Sequence, residues 1–386
     1  MYRLAIFTSH PIQYQGPFFK AIAQSGEIEL KVYFASNFGA EKEEYDPEFG
    51  RKIKWDIPIL EGYPHEFLRN VFALPTALLF SRQKFDAIMV FGWNSFASLM
   101  VFFAAFFSKT PVLLRGENPL SQELLRPQNL KLKAKKLFFR WFFRKIAGFL
   151  YIGEENRKFY EYYGASPERM FFAPYAVDNE RFLAEAKKLL PHKSELKEKL
   201  GIPPEKVVIL FVGKLIPKKR PMDLLRAFES LIANYQLRIA PHLIFVGDGV
   251  LRPELEKYSK EHNLGNVHFV GFKNQTELPE YYAMADIFVL PSGVGETWGL
   301  VVNEAMCFSL PVILSDIVGC GTDLVYSGEN GYIFSTGNVH ALTECLNLLC
   351  ADSVKIKKFG EKSRKRIGVY NYERDREALL RCLKKI

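Results

Sequence analysis

The sequence feature that most restricts the fold is an alternation of short apolar runs with helix-length segments, which occurs twice along the 386 residues. In the first half the runs predict strands at Leu4–Ser9, Glu29–Ala35, Asp86–Gly92, Pro111–Arg115 and Gly148–Gly153. In the second half they predict strands at Val207–Gly213, His242–Gly247, Val267–Gly271, Ile287–Pro291 and Pro311–Ser315. Helical patterns such as Pro221–Asn234 and Thr276–Met284 lie between them. Apolar strands that alternate with helices are typical of parallel sheets covered on both faces.

The second series of strands follows a polar, basic stretch around Asp178–Pro204, which fits a connection between domains plus a surface helix. We therefore predict an α/β protein with two Rossmann-like, doubly wound domains that face each other across a cleft. The predicted domains are residues 1–183 and 184–365, and residues 366–386 are predicted as a helix that returns to the first domain. Ligands of such sheets bind at the carboxyl ends of strands, so functional residues are expected in the loops that follow strands.

Several features indicate a cytoplasmic protein. The N-terminal residues have no basic leader or cleavage site, and the longest apolar run, Phe96–Phe107, is too short to span a bilayer. We predict this run as a buried helix. The five cysteines contain no C-x-x-C pair, which is typical of a reducing compartment.

The most informative loop follows the predicted strand Ile287–Pro291 and reads SGVGETWG before a helix that begins near Leu300. Glycines allow backbone N–H groups to approach a ligand, and the start of a helix favours an anion, above all a phosphate. Glu296 lies in the loop and Glu304 lies in the helix, so both carboxylates are candidates for binding sugar hydroxyls. The alternative is that Glu296 caps the helix and Glu304 is an ordinary surface acid.

The surrounding pattern favours the first interpretation. The sequence E-x-(aromatic)-G-L-x-x-x-E-A-M, followed by a P-V-I strand, resembles the donor signature of the retaining family 4 glycosyltransferases, which have the GT-B fold. The likeness extends upstream through FVGKLIPKKRPMDLLRAF, LIFVGDG and VHFVGF, and downstream through GCGTDLVYSGENGYIF. It covers the second predicted domain, with the motifs in the family's order.

The resemblance implies roles for individual residues. Glu304 would bind the donor ribose, and Glu296 would bind hydroxyls of the transferred sugar. The backbone of Gly213 would also contribute to the donor site. The amides of Trp298, Gly299, Leu300 and Val301 would face the diphosphate or the sugar. The base pocket would lie near Phe272.

Two lysines are predicted to hold the donor diphosphate. Family members have an Arg after the V-G strand end and a Lys five positions later, and this chain has Lys214 and Lys219 there. Lys214 departs from the pattern because a Lys cannot form a planar bidentate contact. Arg220 replaces a Gly, and a solvated basic loop at Lys218–Arg220 is the alternative. Lys214, Lys219 and Glu296 are the predicted catalytic residues.

The family transfers sugars with retention of configuration and without a metal, so we expect neither a cofactor nor a metal ion. No D-x-D follows a predicted strand, which agrees with this expectation. Positive charge and a helix start would stabilise the leaving diphosphate. Front-face substitution assisted by the donor phosphate is favoured, and double displacement would need a carboxylate nucleophile, for which Glu296 is the only candidate.

The acceptor side is less defined. The opening run SHPIQYQGPFF, the run RGEN at Arg115–Asn118 and the run APYAVDNERF resemble a narrower group of these enzymes. The acceptor-side candidates are His10, Gln13, Tyr14, Arg115 and Glu117. His10 fits a site residue and a satisfied turn histidine equally well. A first-domain His that many relatives have after a strand is missing from PVLLRGEN.

A basic aromatic segment, KLKAKKLFFRWFFRK, spans Lys131–Lys145. At helical spacing one stripe contains Lys133, Lys136, Arg140 and Arg144, and the opposite side contains Ala134, Leu137, Phe138, Trp141 and Phe142. The pattern fits docking on an anionic membrane surface, or a helix that packs its aromatic residues on the sheet. The two interpretations are compatible, because the aromatic residues could pack on the sheet while the basic stripe contacts lipid headgroups. No nucleic-acid-binding pattern is present.

We therefore expect a glycosyltransferase that uses a nucleotide-diphosphate sugar and a saccharide or lipid-linked acceptor, in synthesis of the cell envelope, exopolysaccharide or lipopolysaccharide. The protein would be cytoplasmic, and peripheral association with the cytoplasmic face of the membrane is compatible with this expectation. The alternatives are a nucleotide-sugar epimerase and a catalytically silent binding partner.

Overall fold

The computed structural model describes residues 1–39, 43–70, 72–80, 85–127, 129–234 and 240–386. The chain forms two units. Unit 1 contains residues 1–44, 53–176 and 371–386, and unit 2 contains residues 45–52 and 177–370. This division differs from the predicted boundaries at 183 and 365. It also assigns to unit 2 the 45–52 segment, which is polar and gave no sequence signal for belonging there.

Residues 1–176 supply most of unit 1. The elements in chain order are β1 (Tyr2–Thr8), α1 (Gln15–Ala23), β2 (Ile28–Phe34), β3 (Glu44–Asp46), β4 (Arg51–Ile53), β5 (His65–Phe67), α2 (Ala73–Phe80), β6 (Ala87–Phe91), α3 (Phe96–Phe107), β7 (Val112–Arg115), α4 (Leu120–Leu124), α5 (Leu130–Phe143), β8 (Gly148–Tyr151), α6 (Glu154–Tyr162) and β9 (Met170–Phe172).

Residues 177–370 supply the remaining elements of unit 2, and one more helix follows. The elements are α7 (Asn179–Leu189), α8 (Lys193–Glu198), β10 (Val208–Val212), α9 (Pro221–Asn234), β11 (His242–Val246), α10 (Arg252–Glu261), β12 (Val267–Gly271), α11 (Leu278–Met284), β13 (Ile287–Leu290), α12 (Leu300–Cys307), β14 (Val312–Ser315), α13 (Gly321–Leu324), β15 (Gly331–Phe334), α14 (Val339–Cys350), α15 (Ser353–Ile367) and α16 (Tyr372–Lys385).

Each unit is built on a parallel sheet. Within the described residues, unit 1 has seven strands in the order β5-β2-β1-β6-β7-β8-β9, and unit 2 has six in the order β12-β11-β10-β13-β14-β15. The strand order reverses between β1 and β6 in the first sheet and between β10 and β13 in the second. Loops that follow these strands lie side by side at the carboxyl edge, the usual ligand position in such sheets.

Alternating side chains of β1 separate the two cores of unit 1. Ala5 and Phe7 pack with residues of α2, α3, α5 and α6, whereas Leu4 and Ile6 pack with α1 and α16. This follows from the two-residue period of a strand, which directs successive side chains to opposite faces. The predicted α/β class with two Rossmann-like domains is therefore confirmed, and so is the return of the C-terminal helix to the first unit.

Two helices of unit 1 differ from expectation in what they bury. Helix α3, predicted as a buried helix, exposes Phe96, Leu99, Phe103 and Phe107. Helix α5 buries Leu132, Phe139, Phe142 and Phe143, so its packing face lies about a quarter turn or more from the predicted apolar stripe. Of that stripe only Phe142 is buried, and Ala134, Leu137, Phe138 and Trp141 are exposed.

Candidate functional site

The loops after β10 and β13 lie together at the strand-order reversal of unit 2. The N–H of Gly293 donates to the carbonyl of Lys218 at 2.7 Å, which joins the two loops directly. The β10 loop also contacts the loop after β11, where an added Cβ on Gly247 would lie 1.9 Å from the carbonyl oxygen of Gly213. Gly213 therefore begins a loop whose path depends on close backbone contact.

Lys219 and Glu296 form an ion pair between these loops. The ammonium group of Lys219 donates to the Glu296 carboxylate, and the Ser292 hydroxyl donates to the same oxygen at 3.0 Å. Glu296 is only 8% exposed, so solvent screens this pair weakly. Both residues were predicted to act on the donor, but their direct contact was not predicted.

The loop that contains Glu296 is held by the loop after β14. The N–H of Gly319 donates to the carbonyl of Glu296 at 3.1 Å, and an added Cβ on Gly319 would lie 1.8 Å from the carbonyl oxygen of Thr297. The adjacent Cys320 thiol is fully buried, and burial, followed by Asp323 and Glu296, raises its pKa well above the usual range. Cys320 therefore stays protonated and serves as packing.

Helix α12 begins beside this ion pair. Gly299 has φ of 98°, which a glycine adopts without steric cost, and the chain then turns into Leu300. The N–H groups of Leu300 and Val301 belong to the first turn, where no intrahelical acceptor exists, and both residues are partly exposed. Such a helix start suits an anionic ligand.

Trp298 and Glu304 are placed in the interior. The indole N–H of Trp298 donates to Asn303 Oδ1 at 3.0 Å, so its side chain braces the helix start. Glu304 has no exposed surface, and its Oε2 accepts a hydrogen bond from the Tyr282 hydroxyl at 2.6 Å. Glu304 was expected to reach the ligand cleft from the helix. Burial of α12 from Val302 to Cys307 places it in the interior instead.

The 45–52 segment covers two other predicted donor residues. Lys214 Nζ donates to Asp46 Oδ2 at 3.0 Å and to Glu48 Oε2 at 2.6 Å, and it lies 4.7 Å from the Phe49 ring centroid. The Phe49 ring meets Phe272 edge-on with 5.1 Å between ring centroids. Lys214 was expected at the diphosphate, and here it is neutralised by two carboxylates of unit 2.

The 45–52 residues gave no functional signal in the sequence. The guanidinium group of Arg51 also lies 4.9 Å from the Phe272 ring centroid, so the candidate base-pocket ring is contacted by an aromatic and a cationic side chain of this segment. Acids, an aromatic residue and a cation in a polar stretch are ordinary surface composition, so only the fold could identify these contacts.

Arg115 has a structural role in unit 1. It is 4% exposed, and its two terminal nitrogens donate to the two oxygens of Asp375 on α16 at 2.7 and 2.8 Å. Both ends of this bidentate pair are buried, so the guanidinium group is committed to holding α16. We therefore assign Arg115 to attachment of that helix rather than to an acceptor.

Glu117 links two of the sequence runs that were compared with the narrower group. Its Oε1 accepts a hydrogen bond from the Tyr175 hydroxyl at 2.7 Å, which connects RGEN with APYAVDNERF. Burial, followed by the charge of Glu117, raises the pKa of Tyr175 well above its usual value. Tyr175 thus remains a donor, and an acceptor role of Glu117 stays a prediction.

His10, Gln13 and Tyr14 lie in the loop between β1 and α1, at the strand-order reversal of unit 1. His10 Nδ1 is 3.0 Å from Ser9 Oγ, and the ring meets Phe38 edge-on at 5.6 Å. The Tyr14 carbonyl accepts from the Tyr372 hydroxyl at 2.8 Å. Both interpretations of His10 remain open, and the acceptor-side role of all three residues stays a prediction.

The basic stripe of α5 is mostly solvent-facing. Lys133, Arg140 and Arg144 are exposed, whereas Lys136 lies over the Tyr162 ring with its Nζ 3.9 Å from the centroid. No helix in the described part of the chain is long and apolar enough to cross a membrane. Across the same residues, no group of three or more His, Cys, Asp or Glu is arranged to hold a metal ion.

Residues 192–366 match the model of the family described as glycosyl transferases group 1. The D-inositol 3-phosphate glycosyltransferase 2 of Catenulispora acidiphila is 34% identical over 185 residues, which cover 46% of this chain and 42% of that protein. The spore coat protein SA of Bacillus subtilis is 32% identical over 202 residues, 50% of this chain and 52% of that protein. The chain thus spans about half the length of the curated relatives it matches.

Solved structures resemble the whole chain. HepE of Anabaena in complex with UDP has a TM-score of 0.76 at 17% identity, with 100% of both chains covered. Sucrose-phosphate synthase from Thermosynechococcus elongatus has a TM-score of 0.67 at 17% identity, covering 99% of each chain. These likenesses confirm the predicted GT-B fold. In its second unit, residues 192–366 are similar to the glycosyl transferases group 1 family.

Proposed function

We propose that this protein transfers a sugar from a nucleotide-diphosphate sugar to a saccharide or lipid-linked acceptor. The observation that carries the proposal is the Lys219–Glu296 ion pair beside the start of α12, inside the group 1 domain. A cation, a carboxylate and free helix-start amides together match a diphosphate linked to a hydroxyl-rich sugar. The Catenulispora acidiphila relative is named as a glycosyltransferase, and the HepE complexes contain UDP or UDP-glucose, which makes UDP-sugars the first donors to test.

Donor binding would redistribute the charges of the site. The diphosphate would accept from the Leu300 and Val301 amides and from Lys219, which is already positioned between the two loops. Glu296 would then accept from hydroxyls of the transferred sugar while Ser292 keeps donating to it. Lys214 would leave Asp46 and Glu48 for the diphosphate, because a diphosphate with two negative charges competes well with two partly exposed carboxylates. Glu304 would contribute to the ribose subsite without losing Tyr282, because a carboxylate can accept about four hydrogen bonds and the Tyr282 hydroxyl donates one, to Oε2.

We further propose the retaining reaction of the family 4 enzymes, by front-face substitution. The bond from the anomeric carbon to the phosphate oxygen breaks as the acceptor hydroxyl oxygen bonds to the same face. The departing phosphate oxygen takes the acceptor proton. Lys219 and the helix start stabilise the charge on the leaving diphosphate. Glu296 binds rather than attacks, because Lys219 and Ser292 both donate to the carboxylate and lower its nucleophilicity. No metal ion takes part in this proposal.

The proposed setting is envelope, exopolysaccharide or lipopolysaccharide synthesis at the cytoplasmic face of a membrane. A lipid-linked acceptor would suit a basic aromatic surface on unit 1.

The experiment begins with calorimetry of UDP, GDP and ADP, followed by consumption of the matching nucleotide sugars with and without saccharide acceptors. We expect one nucleoside diphosphate to bind best and its sugar to be transferred, with the product retaining the donor's anomeric configuration by NMR. The same measurements on Lys219→Met should show weaker binding of the diphosphate. The matched control is Lys357→Met on α15, which removes the same charge outside the site.

Other outcomes identify the alternatives. Donor interconversion without transfer would favour an epimerase, and absence of binding to every diphosphate would favour a silent partner. An inverted product would contradict the retaining mechanism while leaving the transferase proposal in place.

A further inference from the structure

Unit 1 exposes an unusual number of large apolar side chains on two neighbouring helices. Helix α3 contains no charged residue, and one face of it presents four apolar side chains at helical spacing to solvent, with Phe103 55% and Phe107 68% exposed. Helix α5 exposes a second stripe in which Leu137 is 72% and Trp141 is 55% exposed. We define the α3–α5 face as the exposed residues Phe96, Leu99, Phe103, Phe107, Leu130, Leu137, Phe138 and Trp141.

Ring contacts between buried side chains hold the two helices together beneath their exposed stripes. Exposed Phe138 stacks on Phe142 at 5.8 Å, and Phe142 in turn contacts Phe102 of α3 at 4.9 Å between centroids. At the other end of α3, Phe96 meets exposed Phe72 edge-on at 6.5 Å. Because α3 and α5 pack on the same core of unit 1, their outward stripes face the same side of the sheet.

Two exposed apolar stripes on neighbouring helices mark an interaction site, since monomeric soluble proteins seldom leave large apolar surfaces open to water. Its chemistry is amphipathic rather than purely apolar. On α5 the outward apolar stripe is flanked at helical spacing by Lys133, Arg140 and Arg144 on one side, with Lys131 and Lys145 near its ends. Among the described residues, no acidic partner is found for any of these five cations.

The charge of the rim decides between possible occupants. Between Arg126 and Lys145 the sequence has eight Lys or Arg and no acid, so a second copy of the same face would place like charges opposite one another. An anionic lipid surface matches both features, because aromatic and aliphatic side chains enter the headgroup boundary while Lys and Arg contact anionic headgroups. We propose that unit 1 docks on anionic lipid bilayers through the α3–α5 face, with α3 and α5 lying in the interface.

This inference does not depend on sugar transfer, because vesicle binding can be measured without donor or acceptor. The experiment is flotation of the full chain with vesicles of phosphatidylcholine alone or with about 30% phosphatidylglycerol. We expect flotation with the anionic vesicles only, and loss of binding at high salt. The fluorescence of Trp141 should be quenched by lipids brominated in the upper part of the acyl chain, and Trp141→Phe should remove that quenching.

Two pairs of variants test the two features of the face. Phe103→Ser/Phe107→Ser removes exposed rings, and Leu348→Ser/Val354→Ser removes two exposed apolar residues from unit 2 as its control. Lys133→Gln/Arg140→Gln removes two charges, and Lys357→Gln/Lys358→Gln is its control of equal net charge. We expect each α3–α5 variant to bind vesicles roughly tenfold more weakly or worse, and each control to bind like the wild type.

Three results would overturn the proposal. One is equal vesicle binding by Lys133→Gln/Arg140→Gln and by its control Lys357→Gln/Lys358→Gln, which would show that net charge alone determines binding. Another is wild-type binding that none of the variants weakens. The third is a dimer in sedimentation analysis that Phe103→Ser/Phe107→Ser dissociates, which would show that a second copy covers this face. Unfolding midpoints of all variants close to that of the wild type exclude misfolding as the cause of lost binding.

Discussion

The two units each contain a mostly buried cation–carboxylate pair after a parallel strand, but the pairs connect different parts of the structure. In unit 2, Lys219 and Glu296 join two loops at the strand-order reversal, beside a helix start whose first-turn amides have no intrahelical acceptor. In unit 1, Arg115 and Asp375 join the end of β7 to α16, which packs on the face of the sheet. The same chemistry therefore joins two loops in one unit and attaches a helix in the other. In unit 2 both partners lie at the carboxyl edge of the sheet, whereas in unit 1 Asp375 lies on a helix that packs on the face of the sheet.

The largest expected effect is on the stability of unit 1. Arg115→Met should lower its free energy of unfolding by about 3–5 kcal/mol, because Asp375 would be left buried without its cation. Chemical denaturation with a probe in unit 1 measures this. Lys31→Met, which breaks the exposed pair with Glu66, should cost less than about 1 kcal/mol.

The double variant Arg115→Met/Asp375→Leu makes the distinction sharper. Replacing both partners by apolar residues should restore most of the lost stability, and nucleoside diphosphate binding by unit 2 should stay at the wild-type level. If Arg115→Met instead abolished transfer while leaving stability unchanged, Arg115 would belong to the acceptor site after all.

The same pair of experiments on unit 2 should give the opposite outcome. Lys219→Met and Glu296→Gln should each lower kcat/KM for the donor by about 10²–10³, or roughly 2.7–4 kcal/mol, because charge on the leaving group or contacts to the sugar are lost. Steady-state kinetics with the best donor provide the measurement. The double variant Lys219→Met/Glu296→Gln leaves neither partner buried without the other, so it should be close to the wild type in stability but still lack turnover. Wild-type stability together with wild-type turnover would remove the contrast between the units.

The smallest expected effect concerns the 45–52 segment. Asp46→Asn/Glu48→Gln should tighten nucleoside diphosphate binding by roughly two- to tenfold, because Lys214 no longer has to leave two carboxylates. Calorimetry of the same diphosphate gives the change. Glu254→Gln/Glu361→Gln alters the net charge equally on exposed helices of unit 2, and a similar gain in that variant would mean that Lys214 is not involved.

The sequence was most informative where a local pattern determines the backbone. Strands such as Val267–Gly271 and helices such as Pro221–Asn234 were predicted at their observed bounds, since apolar period and turn residues act locally. The loop with Glu296 was found for the same reason, because glycines before a helix start are recognisable in one stretch of chain.

Long-range contacts could not be predicted in this way. Arg115 looked like a site residue because it follows a strand, and its partner lies 260 positions away. Asp46 and Glu48 lie in a polar segment far from Lys214 in the sequence, and only the folded chain brings them to its ammonium group. Helix α5 has apolar residues on more than half of its circumference, so its period alone left two packing faces open, and contacts with α3 and α6 select between them.

The attachment of α16 also has a consequence for how the protein is made. Its Cys382 lies so close to β8 that a Cβ on Gly148 would come within 2.2 Å of the sulfur, so this face of unit 1 is closed only when α16 is present. A ribosome adding roughly 5–20 residues per second needs on the order of ten seconds or more to make residues 177–370 before α16 emerges. Throughout that interval the face of unit 1 that α16 covers lacks its helix, and at its end all of unit 2 has been synthesised. We therefore expect unit 2 to finish folding first and unit 1, although synthesised earlier, to finish last.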